Sequence, residues 1–179
     1  MGDSHPPQIS LGSRMMNQFV PSRIYLLRHA KSAWAQVGER DFDRTLDREG
    51  LAEAESVAEK AAALGYRPDR LITSTALRCR QTAEVIRDAF GREFDIILAD
   101  QLYNAAADTY LDLLSLENTG SLMIVGHNPT IEEVLERLVG QEQCAGAIAL
   151  GFPTAGLAVV DRPLAREQSL WRLVDFLSP

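Results

Sequence analysis

Four apolar runs of three to five residues, each ended by polar or small residues and separated from the next by helix-forming sequence, restrict this chain to an α/β fold. The first, Arg23-Ile24-Tyr25-Leu26-Leu27, has the length of a buried strand and stops at Arg28-His29-Ala30. Leu51, Ala54, Val57, Ala58, Ala61 and Leu64 follow at helical spacing, with Gly65 placed to end the helix. Leu71-Ile72-Thr73 gives a second strand, with Ser74 in position to cap a helix from about Thr75 to Phe90 that Gly91 terminates. Ile96-Ile97-Leu98 is a third strand, Thr109 to Leu116 a short helix, and Ser121-Leu122-Met123-Ile124-Val125 a fourth strand ending at Gly126-His127. Asn128 is placed to cap the next helix and Pro129 to take its first position, with Glu132 and Glu133 in the first turn and an end near Val139. Leu157 to Val160 and Leu170 to Val174 read as strands with no long helix between them, hence an antiparallel hairpin at a sheet edge. The pattern predicts a three-layer α/β/α sandwich around a mostly parallel central sheet.

At 179 residues and 46% hydrophobic, the chain can bury one sizeable core. Residues 1–20, rich in Pro, Ser, Gln and Gly, read as a flexible tail with Met15 or Met16 as alternative starts, and residues 21–179 as the folded domain. The formal charge is −7, and Lys31 and Lys60 are the only lysines among scattered arginines, so there is no basic stripe for nucleic acid or an anionic membrane. No apolar run has the length of a membrane span or a signal-peptide core, and the expected compartment is the cytoplasm. Cys79 and Cys144, 65 positions apart and outside any CxxC spacing, read as buried reduced thiols.

Three strand ends carry the polar chemistry: Arg28-His29, Ser74 with Arg78, and Gly126-His127. In open α/β sheets ligands sit outside the carboxyl ends of the strands. Apart from His5 in the tail, both histidines fall at strand-to-helix switch points. Two arginines, two histidines and two helix N-termini on one sheet edge suit a dianion, most simply a phosphate. A neutral imidazole nitrogen can accept a phosphoryl group, and an adjacent arginine disfavours the imidazolium. One of His29 or His127 is then the nucleophile, and the other donates to phosphate oxygens.

These residues stand in four ordered blocks. Leu26-Leu27-Arg28-His29-Ala30 resembles the RHG signature of the histidine phosphatase superfamily, also called phosphoglycerate-mutase-like. Asp43-Arg44-Thr45-Leu46 with Gly50 resembles a second block, Ser74 to Arg78 and Thr82 the second arginine block, and Val125-Gly126-His127-Asn128-Pro129 the second histidine block. The resemblance runs from about Ile24 to Val174 and implies His29 as the phosphorylated nucleophile, with Arg28, Arg78 and His127 forming the phosphate pocket. It implies no metal and no cofactor. Lys31, Ser32, Ser74 and Asn128 fall beside these blocks as substrate-binding positions. The short chain, Arg-His-Ala-Lys-Ser at residues 28–32 and Leu102-Tyr103-Asn104 are most similar to the SixA-type phosphohistidine phosphatases.

Many members of the superfamily place a glutamate proton donor after the third strand, but residues 99–107 contain no Glu. Asp100 and Tyr103 are the local candidates for a proton donor. An alkoxide leaving group needs protonation as the ester breaks, whereas a phosphoramidate nitrogen can be protonated beforehand by solvent. A missing acid is therefore tolerable for phosphohistidine. Residues 31–47 are the only long loop expected near the site, which leaves a pocket open to a protein side chain. The reading is a phosphatase acting through a covalent phosphohistidine, with a phosphohistidine protein or a small phosphate ester as partner. The alternatives are a general phosphomonoesterase or sugar-phosphate phosphatase, and a phospho-ligand binder with little turnover.

Asp41-Phe42-Asp43-Arg44-Thr45 also spells the D-x-D-x-T nucleophile motif of magnesium-dependent haloacid-dehalogenase-type phosphatases. That motif must leave a buried strand, and the preceding Ala35-Gln36-Val37-Gly38-Glu39-Arg40 is mostly polar. Asp43 and Arg44 instead suit pairing with each other or with neighbours at a loop anchor. Neither cysteine has an arginine at the spacing of a cysteine-phosphatase loop, where Val85 and Leu150 stand. P-loop, GxSxG and HExxH patterns are absent as well.

Overall fold

The computed structural model describes residues 21–91, 94–163 and 170–179; the tail expected over residues 1–20 lies outside them. Strands β1 (Arg23–Arg28), β2 (Arg70–Ser74), β3 (Ile96–Ala99), β4 (Ser121–Gly126), β5 (Leu157–Asp161) and β6 (Arg172–Leu177) form one sheet in the order β3-β2-β4-β1-β5-β6. The first four run parallel, whereas β5 is antiparallel to β1 and β6 to β5.

The apolar runs of β1 and β4 are continuous because both faces of the sheet are covered. Alternate residues serve opposite cores. Tyr25, Leu27, Leu71, Met123 and Val125 pack with α1 (Arg48–Ala63) and α2 (Leu77–Ala89). Ile24, Leu26, Ile72, Leu122 and Ile124 pack with α3 (Ala107–Leu116) and α4 (Thr130–Val139). Each such side chain, fully buried, contributes roughly 1.5–3 kcal/mol. The result is the expected α/β/α sandwich.

Local chemistry moves several boundaries. Helix α1 starts at Arg48 because the Asp47 carboxylate accepts from the Gly50 amide at 2.7 Å, an N-cap upstream of the first periodic Leu51. Ser74 does not cap α2: the cap position is Ala76, with no side-chain bond. Asn128 does not cap α4 and Pro129 is not its first residue; Pro129 occupies the cap position after a cis bond, and the Asn128 amide is used elsewhere. Helix α3 begins at Ala107 rather than Thr109. Strand β6 starts later than expected, because the Trp171 amide donates to the Leu138 carbonyl at 2.8 Å and pairing with β5 begins at Arg172 opposite Asp161. A short helix, α5 (Gln141–Ala147), was not expected, since its residues carry no apolar period.

Register then sets the site. Arg28 lies opposite Gly126, and Thr73 opposite Val125, so the residues leaving β1, β2 and β4 emerge together at one edge. The loop over residues 31–47 is not the only long one there, because residues 148–156 form a second between α5 and β5. Among the described residues, no helix is long and apolar enough to cross a membrane.

Candidate active site

The three strand ends meet on Arg78, which projects from the first turn of α2 and is only 6% exposed. Its Nε–H donates to His29 Nε2 at 3.2 Å, and its Nη2 lies 3.3 Å from His127 Nδ1. His29 Nδ1 stands 2.8 Å from the Ala30 carbonyl oxygen. A carbonyl only accepts, so the proton belongs on Nδ1 and leaves Nε2 unprotonated, its lone pair accepting from Arg78. The two imidazoles lie edge to face with centroids 5.3 Å apart.

Burial, with His127, Arg78 and Arg28 adding repulsion, pushes the His29 pKa down to about 3. Burial and Arg78 push His127 down to about 4. Both rings are neutral at physiological pH, as nucleophilic attack on phosphorus requires.

Ser74 is fully buried, and its Oγ lies 2.9 Å from His127 Nε2. It orients that ring from behind instead of facing the cleft as a substrate contact. Cys79 is buried beside the same nitrogen, with its Sγ at 3.5 Å, and burial pushes its thiol up to about 12. Both cysteines are free and buried. Gly126 is tightly packed: a Cβ there would lie 2.4 Å from the Tyr110 hydroxyl.

An open cleft of about 450 Å³ lies over these groups, lined by Arg28, His29, Lys31, Ser32, Arg44, Arg78, His127 and Asn128 among others. Arg28 Nη1 donates to the Phe152 carbonyl at 2.6 Å. The Arg28 Nε is buried without an acceptor among the described residues. Lys31 pairs with Glu49, and its carbonyl packs so close to Gly50 that a Cβ there would fall 1.8 Å from the oxygen. Asn128 Nδ2 donates to Glu132 at 3.1 Å and to the Phe152 carbonyl at 3.3 Å. Asp100 sits exposed on a 3-10 turn and does not line the cleft.

Asp41 was set aside with the D-x-D-x-T pattern, and it does lie outside any strand, on a 3-10 turn over Asp41–Asp43. Yet this turn carries it to Arg78. The Asp41 carbonyl accepts from Arg78 Nη1 at 2.6 Å and its Oδ2 from Nη2 at 3.0 Å. Arg44 donates to Oδ1 at 2.8 Å, and the Tyr103 hydroxyl to Oδ2 at 3.0 Å. The Arg44 bond and the Arg78 charge hold the Asp41 carboxyl down at about 2. Arg44 and Asp43 thus pair with neighbours, Asp43 with Arg40 at 2.7 Å. Tyr103 also stands edge-on to His127, with centroids 5.6 Å apart.

Residues 148–156 supply a second wall of the cleft. Thr154 lines the cleft, the Phe152 carbonyl receives Arg28 and Asn128, and the Ala155 amide donates to the His29 carbonyl at 3.3 Å. Residues 148–156 have no periodicity to announce this.

A family model for the histidine phosphatase superfamily (branch 1) matches residues 24–107. A crystal structure provisionally named phosphohistidine phosphatase SixA, from Agrobacterium tumefaciens, is 51% identical and superposes with a TM-score of 0.82, covering 89% of this chain and 99% of that one. The chain belongs to the histidine phosphatase superfamily. An uncharacterized Mycobacterium tuberculosis protein is 36% identical over 75% of this chain and 85% of its own. A protein histidine phosphatase SixA complexed with tungstate shares the superfamily fold at 21% identity, with a TM-score of 0.70 over 87% of this chain and 96% of that one. The arrangement of Arg28, His29, Arg78 and His127 lies within this fold at the edge where α/β sheets bind ligands.

Proposed function

We propose that this chain is a phosphohistidine phosphatase that works through a covalent phosphohistidine on His29 and needs no metal. The observation that carries the reading is the 2.8 Å contact of His29 Nδ1 with the Ala30 carbonyl, which leaves Nε2 unprotonated beside Arg78. In the first step Nε2 attacks phosphorus, the substrate N–P bond breaks, and the departing imidazole keeps the proton that solvent supplied. Arg28 and Arg78 neutralise the phosphoryl oxygens as charge spreads over them, and neutral His127 stands beside them as a hydrogen-bonding partner. In the second step water attacks the phosphorus of phospho-His29, inorganic phosphate leaves, and Nε2 recovers its lone pair.

An acid such as the absent glutamate is dispensable for a phosphoramidate, and the open cleft admits a side chain carried by a protein. The likeness to a SixA at 51% identity supports the same substrate class. The Tyr103–Asp41 contact favours a second reading, general phosphomonoester hydrolysis, because it holds a phenol at the site, with its ring 5.6 Å centroid to centroid from His127.

Single-turnover transfer from a radiolabelled phosphohistidine protein, with EDTA present, tests the reading. Wild type should take up transient acid-labile label and release phosphate, while His29→Ala should do neither. Wild-type rates in His29→Ala would place the nucleophile elsewhere. Faster turnover of small esters than of the phosphoprotein would favour the phosphomonoesterase.

A further inference from the structure

Trp34 is 90% exposed and Val37 109%, both on the loop whose start carries Lys31 and Ser32 into the cleft. Single exposed apolar residues are ordinary. Here two large ones stand three positions apart on a segment that is held in place. The Ala33 amide donates to the Thr45 carbonyl at 3.0 Å, Arg44 Nε donates to the Ala33 carbonyl at 2.7 Å, and Ser32 bridges to Leu46. The far end is closed by a turn in which the Glu39 amide donates to the Gln36 carbonyl at 2.9 Å and Gly38 takes φ +87°. Gly38 permits that left-handed turn at little cost.

The chain thus orders a loop and keeps its apolar side chains in water. Trp34 is itself a lining residue of the catalytic cleft. Anything that brings a phosphoryl group to His29 therefore brings its own surroundings against Trp34. A small phosphate compound ends within the cleft and cannot cover a side chain that projects out of it. A folded protein can. The cleft residues add positive charge, in a chain of net charge −7: Arg28, Lys31, Arg44 and Arg78 line it, with Asp41 paired to Arg44 and Arg78 and Glu49 to Lys31.

We infer that Trp34, with Val37 beside it, is the docking contact for a protein substrate that presents its phosphohistidine next to an apolar surface patch. This rests on the phosphohistidine reading and deepens it by assigning the choice of protein over small substrate to one loop. Aromatic anchors of this kind carry a large share of binding where a rim of polar contacts excludes water around them.

The test compares Trp34→Ala and Val37→Ser with wild type on two probes, a histidine-phosphorylated phosphotransfer domain and free phosphohistidine. Trp34→Ala should lower kcat/KM for the protein probe about tenfold, through KM, and lower that for free phosphohistidine by a clearly smaller factor. Val37→Ser should act in the same direction, more weakly. An equal loss on both probes would make Trp34 a structural or pocket residue and overturn the inference, as would no loss on the protein. A fall in molecular mass of Trp34→Ala by sedimentation would show instead that a second copy of this chain covers the loop. If wild type hydrolyses neither probe, the functional reading itself fails.

Discussion

Two neutral buried imidazoles impose a pH dependence on folding whose size follows from the site. In the unfolded chain each ring titrates near 6.5, whereas in the folded protein His29 titrates near 3 and His127 near 4. Between these limits the unfolded state binds protons that the folded state refuses, so stability is full above pH 6.5 and falls as the pH drops below it. The loss stops once the folded rings themselves protonate. At pH 5 each ring lies 1.5 pH units below its unfolded pKa, which costs about 2 kcal/mol per histidine, about 4 kcal/mol for the pair. Urea denaturation at pH 7.5 and pH 5 reads this directly. The double variant His29→Asn, His127→Asn should lose about 4 kcal/mol less between the two pH values than wild type does. Carboxylates common to both proteins cancel in that difference. Equal losses would refute the claim that the rings are held neutral by burial and by Arg78.

Gly50→Ala places a Cβ 1.8 Å from the Lys31 carbonyl oxygen and should cost about 3 kcal/mol, seen as a lower thermal midpoint by circular dichroism; an unchanged midpoint would deny the close approach. Asp41→Asn removes a half-exposed carboxylate that competes with anions for Arg78, worth about 1 kcal/mol, so inorganic phosphate should inhibit about fivefold more strongly. Weaker inhibition would show that Asp41 helps Arg78 hold phosphate. Cys79, with its thiol pushed up to about 12, should resist iodoacetamide at pH 8 in the native protein and react in urea; rapid native labelling would contradict its burial.

Arg28, His29, Arg78 and His127 could be read from the chain because each lies at or just beyond the end of an apolar run. Strand position fixes where such residues emerge, and the parallel order of β1, β4 and β2 brings their ends to one edge. Asp41 could not be read the same way. Its meeting with Arg78 depends on the path of a loop tied down by Arg44 and by the Lys31–Gly50 contact, neither of which leaves a period in the sequence. Ser74 was legible as a polar residue at a strand end, but tertiary geometry decides that its Oγ meets His127 at 2.9 Å as well as the Ala76 amide at 3.4 Å. The wall over residues 148–156 works through backbone carbonyls and amides, which every sequence possesses.

The strand order β3-β2-β4-β1-β5-β6 carries a final consequence. His29, Arg78 and His127 follow β1, β2 and β4, three of the four interior strands of the sheet, while β3 and β6 form its margins. Amide exchange in such a sheet opens from the margins inward, and the middle exchanges only with the whole molecule. The phosphoryl-transfer groups are therefore mounted on the slowest-exchanging part of the protein. On heating, the frame that aligns them would come apart only when the whole fold does.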